Sequence, residues 1–187
     1  MERLTISPLT DVDAELKDFH CDIPLMDKFV HGGGFKQSVL NHYCNAYSVR
    51  NEKNDLVAFF ALSFDSLRLD IDDRLDLQKG WTDTSTPQPT AEYLETFWGK
   101  VHYPALEIAY LAVDKAYQGQ DIGTYVVEQI ENKARTQKLA GCQFLTVGAL
   151  VTPEYSAVGF YRKCRFAQLD PVPTNGVLRM YHNLLTK

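Results

Sequence analysis

The stretch Glu107-Ile-Ala-Tyr-Leu-Ala-Val-Asp-Lys-Ala-Tyr-Gln-Gly-Gln-Asp-Ile-Gly-Thr124 joins an apolar strand to an amphipathic helix through a short turn of glycine and glutamine. The first backbone N–H groups of a helix have no partner within the helix, and they lie at the positive end of its dipole. Such a junction is a ready site for a phosphate group. Glu107, on the same predicted strand, adds a carboxylate that could accept a proton. This segment therefore predicts a phosphate site and a candidate base.

The composition suits one globular domain of residues 1–187, with an irregular insertion at about residues 65–104. With 45% hydrophobic residues the chain can bury a sizeable core. The formal net charge of −5 provides no long-range attraction for nucleic acid or for an anionic membrane. Two local basic groups are interpreted as solvated helix faces. They are Lys133, Arg135 and Lys138, and Arg162, Lys163 and Arg165.

Features of the chain outside these groups predict a cytoplasmic protein without a metal. The start of the chain lacks a basic segment followed by an apolar run, as a signal peptide would have. The longest apolar run, Leu56 to Leu62, is too short to span a membrane. The four cysteines are far apart, which favours reduced thiols. His20-Cys21 and the nearby His42 and Cys44 lack the tight spacing of zinc ligands.

Hydrophobic periodicity and turn residues predict a mixed α/β domain whose twisted sheet is covered by helices on both faces. Gly32-Gly33-Gly34 and the segment Trp81 to Thr90 are predicted as loops. The predicted strands are Leu4–Leu9, Tyr43–Arg50, Leu56–Phe64, Leu67–Ile71, Ala105–Val113, Phe144–Leu150, Phe166–Leu169 and Val177–Asn183. The predicted helices are Asp11–Phe19, Pro24–Val30, Ala91–Trp98, Gln120–Leu139 and one that begins at Thr152-Pro153.

Two spaced motifs carry a family resemblance. Gln118-Gly-Gln-Asp121-Ile-Gly123 follows an apolar strand and opens a long helix, and Ala157-Val-Gly-Phe160-Tyr161-Arg-Lys-Cys-Arg-Phe166 follows the next strand. Together they resemble the acyl-CoA signature and the second signature of the GNAT superfamily of N-acetyltransferases. The resemblance implies a mostly antiparallel mixed sheet of six to seven strands with a splayed central strand pair.

The resemblance also implies the chemistry, which is direct transfer of an acetyl group from acetyl-CoA to a primary amine of a small molecule or a protein. Glu107 takes the family position of a general base, and Tyr161 that of the hydroxyl that protonates the leaving thiolate. From the residues alone, Glu107 could equally be an exposed or ion-paired strand carboxylate, and Tyr161 a core residue. The implied cofactor-binding residues are Leu111, Ala112, Val113, Gln118, Gly119, Gln120, Asp121, Ile122, Gly123 and Thr124.

Three positions depart from the family pattern. Asp121 stands where the first signature has a glycine, and it brings a negative charge towards the pyrophosphate. Arg165 stands where the second signature has the glycine before phenylalanine, and Glu154 stands where the family usually has an asparagine three residues before Ala157. Asp121 motivates one alternative from another class, a catalytically silent module that binds acyl-CoA.

A second alternative comes from the first half of the chain. Phe19-His-Cys21, the helix that ends near Phe29, and Ala46-Tyr-Ser-Val resemble the toxin branch of the same family. That branch acetylates the amino group of aminoacyl-tRNA and pairs with a small antitoxin. The acidic net charge argues against nucleic acid, since such contacts need a basic surface. The sequence identifies no acceptor amine, predicts no membrane association, and leaves the oligomeric state open, a homodimer included.

Overall fold

The computed structural model describes residues 3–82 and 90–185. Its elements are β1 (Thr5–Pro8), α1 (Val12–Leu16), α2 (Pro24–His31), α3 (Gly34–Leu40), β2 (Asn45–Arg50), β3 (Leu56–Leu67), α4 (Ile71–Thr82), α5 (Ala91–Trp98), β4 (Tyr103–Val113), a 3₁₀ turn (Lys115–Tyr117), α6 (Ile122–Thr136), β5 (Phe144–Leu150), α7 (Val158–Lys163), β6 (Ala167–Gln168) and β7 (Val177–Asn183). In the described residues the strands form one seven-stranded sheet in the order β1-β2-β3-β4-β5-β7-β6.

The sheet is mostly antiparallel, as the pairings of β1 with β2, β2 with β3, β5 with β7 and β6 with β7 establish. The predicted mixed α/β class is therefore confirmed. Among the described residues, none of the helices combines the length and the apolar character that a membrane crossing requires.

The chain divides into two compact units. Unit 1 comprises Met1–Ser63 and Glu107–Ile130, and unit 2 comprises Phe64–Leu106 and Glu131–Lys187. The boundary falls within β3 and within β4, so both strands contribute residues to each unit. The prediction of a single domain over residues 1–187 stays a prediction.

The core of unit 1 is aromatic. The ring of Phe35 on α3 lies 4.8 Å from that of Phe59 on β3, and Phe19 packs edge-on against the same ring at 5.0 Å. All three side chains are almost fully buried. Burial of such rings contributes a large share of the apolar area that stabilises a small domain.

The glycine triplet in unit 1 forms a short connection between two helices. α2 ends at His31, Gly33 adopts a φ of +83°, and α3 begins at the next residue, Gly34. The left-handed conformation of Gly33 is one that glycine adopts at little cost. A Cβ at Gly34 would lie 2.5 Å from the ring of Phe29, so a larger residue there would force this ring to move. The predicted loop is therefore confirmed for Gly32 and Gly33 and wrong for Gly34, which already belongs to α3.

β2 and β3 form an antiparallel hairpin, with Tyr47 opposite Phe60. Its turn depends on Asn51, whose Oδ1 accepts hydrogen bonds from the backbone N–H groups of Lys53 at 3.0 Å and Asp55 at 2.8 Å. An asparagine that mimics backbone turn geometry in this way is a common turn former. The hairpin places β3 inside the sheet, where residues Val57 to Ala61 are buried.

Unit 2 contains two helices in the segment predicted as an irregular insertion. The predicted helix Ala91–Trp98 is confirmed as α5, and Thr90 caps it by accepting a bond from Tyr93 N at 3.2 Å. The predicted strand Leu67–Ile71 was wrong beyond its first residue, because Asp70 accepts from Asp73 N at 2.8 Å and starts α4 at Ile71. The loop predicted from Trp81 to Thr90 lies largely outside the described residues, although α4 includes its first two.

The last third of the chain follows its predicted strands but not its predicted helix start. β5 and β7 have the predicted bounds, and Phe144 lies opposite Asn183. The helix expected from Thr152 begins only at Val158. Thr152 instead closes a turn by accepting from Tyr155 N at 3.0 Å, and Ala157 N donates to Leu150 O at 2.9 Å. These two bonds form a turn over residues 152–157, so the helix cannot begin before Val158.

Candidate active site

The turn before α6 contains two residues in the left-handed conformation. Gly119 adopts a φ of +76°, and Asp121 adopts a φ of +58°. α6 then begins at Ile122, and the backbone N–H of Tyr125 donates to Asp121 O at 3.0 Å. The N–H groups of the first helical residues have no partner within the helix, so the turn leads directly to unpaired backbone donors.

Asp121 stands at the glycine position of the first signature and has the left-handed conformation that glycine adopts most readily. Aspartate reaches this region at a cost of about 1 kcal/mol relative to glycine. Its side chain is exposed. The backbone geometry of the motif is thus present, while the charge of Asp121 remains unfavourable for a polyanion.

The side chain of Gln118, predicted to bind the cofactor, holds the turn together. Its Nε2 donates to Cys21 O at 2.8 Å and to Val113 O at 3.1 Å. The segment before α2 makes further bonds to the turn, including Lys115 N to His20 O at 2.7 Å. The turn is therefore tied to the chain around Cys21 on one side and to the end of β4 on the other.

The three residues on β4 that are predicted to bind the cofactor have side chains that are buried or half-buried. Ala112 is 5% exposed and belongs to the apolar core of unit 1. Leu111 and Val113 are half-buried. After Val113, the backbone N–H of Asp114 donates to Val57 O at 2.9 Å, which anchors the end of β4 to β3.

Glu107 is a half-buried carboxylate on β4 with a defined hydrogen-bond donor. The hydroxyl of Ser63 on β3 donates to Glu107 Oε2 at 2.8 Å. Throughout residues 3–82 and 90–185, no lysine, arginine or histidine forms an ion pair with it. Neither of the two structural interpretations of Glu107, exposed or ion-paired, describes this environment.

Two neutral groups lie near enough to sense the charge of Glu107. Burial raises the pKa of the Cys44 thiol, and the Glu107 carboxylate raises it further. Burial likewise raises the pKa of Tyr110, with a smaller contribution from Glu107. Both groups therefore keep their protons at neutral pH. The surroundings of Glu107 in unit 1 are polar but without positive charge.

Tyr161 belongs to unit 2 and lies on α7. Its side chain is 5% exposed, and its ring contacts Phe160 at 4.9 Å and Phe166 at 5.4 Å between centroids. Burial raises the pKa of its hydroxyl, and Tyr155 and Cys164 add to the effect. The phenol is thus held in its protonated form, in a setting that also fits a core residue.

The histidines and cysteines of the first helices form no metal site in the described part of the chain, where no group of three or more metal-binding side chains is found. His31 faces the backbone oxygen of Phe19, with Nε2 at 2.8 Å, and its ring lies 4.9 Å from that of His20. His102 Nδ1 lies 3.2 Å from Ser66 Oγ.

Sequence reasoning missed two residues with defined roles. Ser63 carries no local signal, because it is an ordinary serine at the end of an apolar run. Glu131 does carry one, since it lies on the buried face of α6 between Ile130 and Ala134. Burial tends to raise the pKa of Glu131, but bonds and charges from Arg135, His182 and Arg165 outweigh this, so its pKa is lowered.

Comparison with known proteins adds a family match and several likenesses of fold. Residues 35–166 match the model of the acetyltransferase (GNAT) family. The comparison with curated proteins finds no match. AtaT complexed with acetyl-methionyl-tRNAfMet is similar with a TM-score of 0.65 at 20% identity, over 97% of this chain and 95% of that chain.

Two further solved structures agree. AtaTR bound with AcCoA is similar with a TM-score of 0.65 at 20% identity, over 97% of this chain and 94% of that chain. A bacterial toxin is similar with a TM-score of 0.62 at 19% identity, over 98% of this chain and 92% of that chain. At such identities the likeness shows the fold alone.

Proposed function

Because the chain belongs to the acetyltransferase (GNAT) family, we propose that it transfers the acetyl group of acetyl-CoA directly to a primary amine of a small molecule or a protein. The observation that carries this proposal is Glu107. It is half-buried, it has a hydroxyl donor and no cation partner among the described residues, and it lies on the strand that leads into the phosphate-type turn.

In this proposal Glu107 is the general base. A primary amine is mostly protonated at neutral pH and cannot attack a thioester until it loses a proton. The Glu107 carboxylate accepts that proton directly or through a water molecule. The nitrogen then forms a bond to the acetyl carbon, the bond from that carbon to sulfur breaks, and the nitrogen releases its second proton.

The turn from Gly119 to Thr124 supplies the binding site for the pyrophosphate of acetyl-CoA. Its backbone donors and the positive end of α6 favour an anion. The backbone of Leu111 and Val113 offers hydrogen bonds to the pantetheine arm. Gln118 acts by fixing the turn, since backbone oxygens already engage its amide.

Tyr161 is proposed to donate to the leaving sulfur. Because burial raises its pKa, the phenol stays protonated over the whole physiological range. The same shift makes it a weaker acid than an exposed tyrosine. Its contribution is therefore a hydrogen bond that strengthens as charge develops on sulfur. The proton that Tyr161 gives to sulfur is replaced by the second proton that the nitrogen releases, so the phenol ends the reaction protonated.

The test is release of the CoA thiol from acetyl-CoA in the presence of a panel of amines. The panel contains spermidine, a lysine peptide, a peptide with a free N-terminus, and methionyl-tRNA. The wild type should turn over at least one of them, and Glu107→Gln should be about 100-fold slower, the usual contribution of a general base. Glu128→Gln on the exposed side of α6 is the matched control and should keep the wild-type rate.

Two results would count against the proposal. Stabilisation by acetyl-CoA without turnover of any amine would favour the silent acyl-CoA module. Wild-type turnover by Glu107→Gln would remove Glu107 as the base.

An aminoacyl-tRNA acceptor is the second candidate, and one observation favours it. AtaT, whose fold resembles 97% of this chain, has been solved as a complex with acetyl-methionyl-tRNAfMet. The net charge of −5 opposes it, and so do the ion pairs that engage Arg135 and Arg165. Turnover of methionyl-tRNA but not of the small amines would favour this candidate, whereas the reverse would exclude it.

A further inference from the structure

The contact between Ser63 and Glu107 joins two neighbouring strands. Ser63 lies on β3 just beyond its buried apolar run, and Glu107 lies on β4. An ionised carboxylate can only accept, so the hydroxyl of Ser63 is the donor, and its single proton is committed to Oε2. In the described residues no hydrogen bond reaches the second oxygen, Oε1, which leaves it for the proton of an incoming amine.

We propose that Ser63 is a positioning residue, one that holds the Glu107 carboxylate in the orientation in which it takes the acceptor's proton. This inference rests on the proposed function and adds the residue on which the base depends. Glutamate has three rotatable side-chain bonds, and a base that samples many rotamers spends little time within reach of its proton. The hydrogen bond from Ser63 removes much of that freedom.

Among the described residues, no second hydrogen-bond donor to the Glu107 side chain is found. Cys44, whose thiol lies near enough to sense the carboxylate, is 3% exposed and is a weak donor. A lysine or arginine in place of Ser63 would also fix the carboxylate, but its charge would make Glu107 a poorer base. A neutral hydroxyl orients the carboxylate at a smaller loss of basicity.

The kinetic test compares Ser63→Ala with Ser63→Thr, using the amine of the panel that gives the fastest turnover. Ser63→Ala should lower kcat about tenfold with KM for acetyl-CoA unchanged, and Ser63→Thr, which keeps a hydroxyl, should restore most of the rate. Ser7→Ala is the matched control. Ser7 is a half-buried serine that also bonds across two strands, with its Oγ 3.2 Å from Ser48 Oγ, and its loss should leave kcat unchanged.

A double mutant separates positioning from an independent effect. If Ser63 acts through Glu107, adding Ser63→Ala to Glu107→Gln should cost less than twofold further. An equal tenfold loss in both backgrounds would overturn the inference. Failure of the proposed function itself looks different, since Glu107→Gln would then be as active as the wild type.

A measurement without any acceptor completes the test. Crystal structures of the wild type, Ser63→Ala and Ser63→Thr show the orientation of the Glu107 side chain directly. The wild type and Ser63→Thr should hold the carboxylate in one rotamer with the hydroxyl of residue 63 within hydrogen-bond distance, whereas Ser63→Ala should show it displaced or spread over several rotamers. The same single orientation in Ser63→Ala would overturn the inference even if no amine were acetylated.

Discussion

Arg165 Nη2 lies 2.8 Å from Glu131 Oε2, and this ion pair ties the residue after α7 to the middle of α6. Glu131 also accepts from Arg135 at 2.8 Å, and His182 Nε2 lies 3.4 Å from it. Each of the two basic groups predicted as solvated helix faces thus gives one arginine to a carboxylate that is only 11% exposed. The network stabilises unit 2 and removes positive charge from its surface.

Glu131→Gln should destabilise the protein by about 2 kcal/mol at pH 7, since Arg135, Arg165 and His182 then lose a buried charged partner. The loss stays below that for a fully buried ion pair because Arg165 is 62% exposed. Urea unfolding measures it, with Glu128→Gln on the exposed side of the same helix as the control. A change below about 0.5 kcal/mol in Glu131→Gln, which is the size expected for a surface site, would contradict the role of the network.

The contribution of Glu131 should depend on pH in a defined direction. Its pKa is lowered in the folded protein, so the unfolded chain binds more protons in the acidic range. The stabilisation is fully present above the unfolded value, about 4.3, and is lost as the pH falls through the folded value. The difference in free energy of unfolding between wild type and Glu131→Gln should be constant at neutral pH and shrink on acidification. A difference that grows in acid would refute this assignment.

Arg165 adopts a φ of +67°, a conformation that favours glycine. Arg165→Gly loses a partly exposed ion pair, worth at most about 1 kcal/mol, but relieves a backbone cost of similar size. Arg165→Ala loses the pair and keeps the cost. We therefore expect Arg165→Gly to unfold at a urea concentration close to that of the wild type, and Arg165→Ala to be about 1 kcal/mol less stable than Arg165→Gly. Equal stabilities of the two variants would show that the backbone carries no strain.

Asp121→Gly should bind acetyl-CoA about three- to tenfold more tightly, because it keeps the left-handed turn and removes a negative charge beside a polyanion. Titration calorimetry measures the dissociation constant. Asp121→Asn tests the cause, since asparagine also tolerates a positive φ but is neutral, and it should give most of the gain. Weaker binding in both variants would mean that the carboxylate has a structural role in the turn.

Glu107→Gln should lose most activity at low pH. The acceptor amine is then largely protonated, and the variant has no carboxylate to take the proton, whereas at high pH the free amine needs less help. The measurement is kcat/KM between pH 6 and about 9.5, a range in which the amine deprotonates progressively. Parallel profiles for wild type and Glu107→Gln would take Glu107 out of the mechanism.

Local signals in the chain were enough for several elements of the fold. The bounds of β5 and β7 follow from short runs rich in β-branched and apolar residues. The start of α5 follows from the Thr90 cap, and that of α1 from Asp11, whose side chain accepts from Ala14 N at 3.1 Å. Each of these signals acts within a few residues, so an isolated stretch already contains the physical cause.

The turn between β4 and α6 was also predicted from the chain, because an apolar strand, a turn of glycine and glutamine and an amphipathic helix follow one another. The sequence did not predict the contacts of this turn or the exact ends of the helix. The side chain of Gln118 bonds to Cys21 O, a residue 97 positions away. The predicted α6, Gln120–Leu139, is shorter at both ends, and Gln137 closes its end by accepting from Leu139 N at 2.8 Å.

Local patterns thus determine the class of the fold and most of its strands, because periodicity, caps and turns are properties of neighbouring residues, and the two spaced motifs indicate the family. Only the tertiary structure could decide that the hydroxyl of Ser63 donates to Glu107 at a separation of 44 residues. A hydrogen bond or a close contact between distant residues leaves no periodic trace in the chain, since it exists only once the strands and helices that carry the two residues have packed.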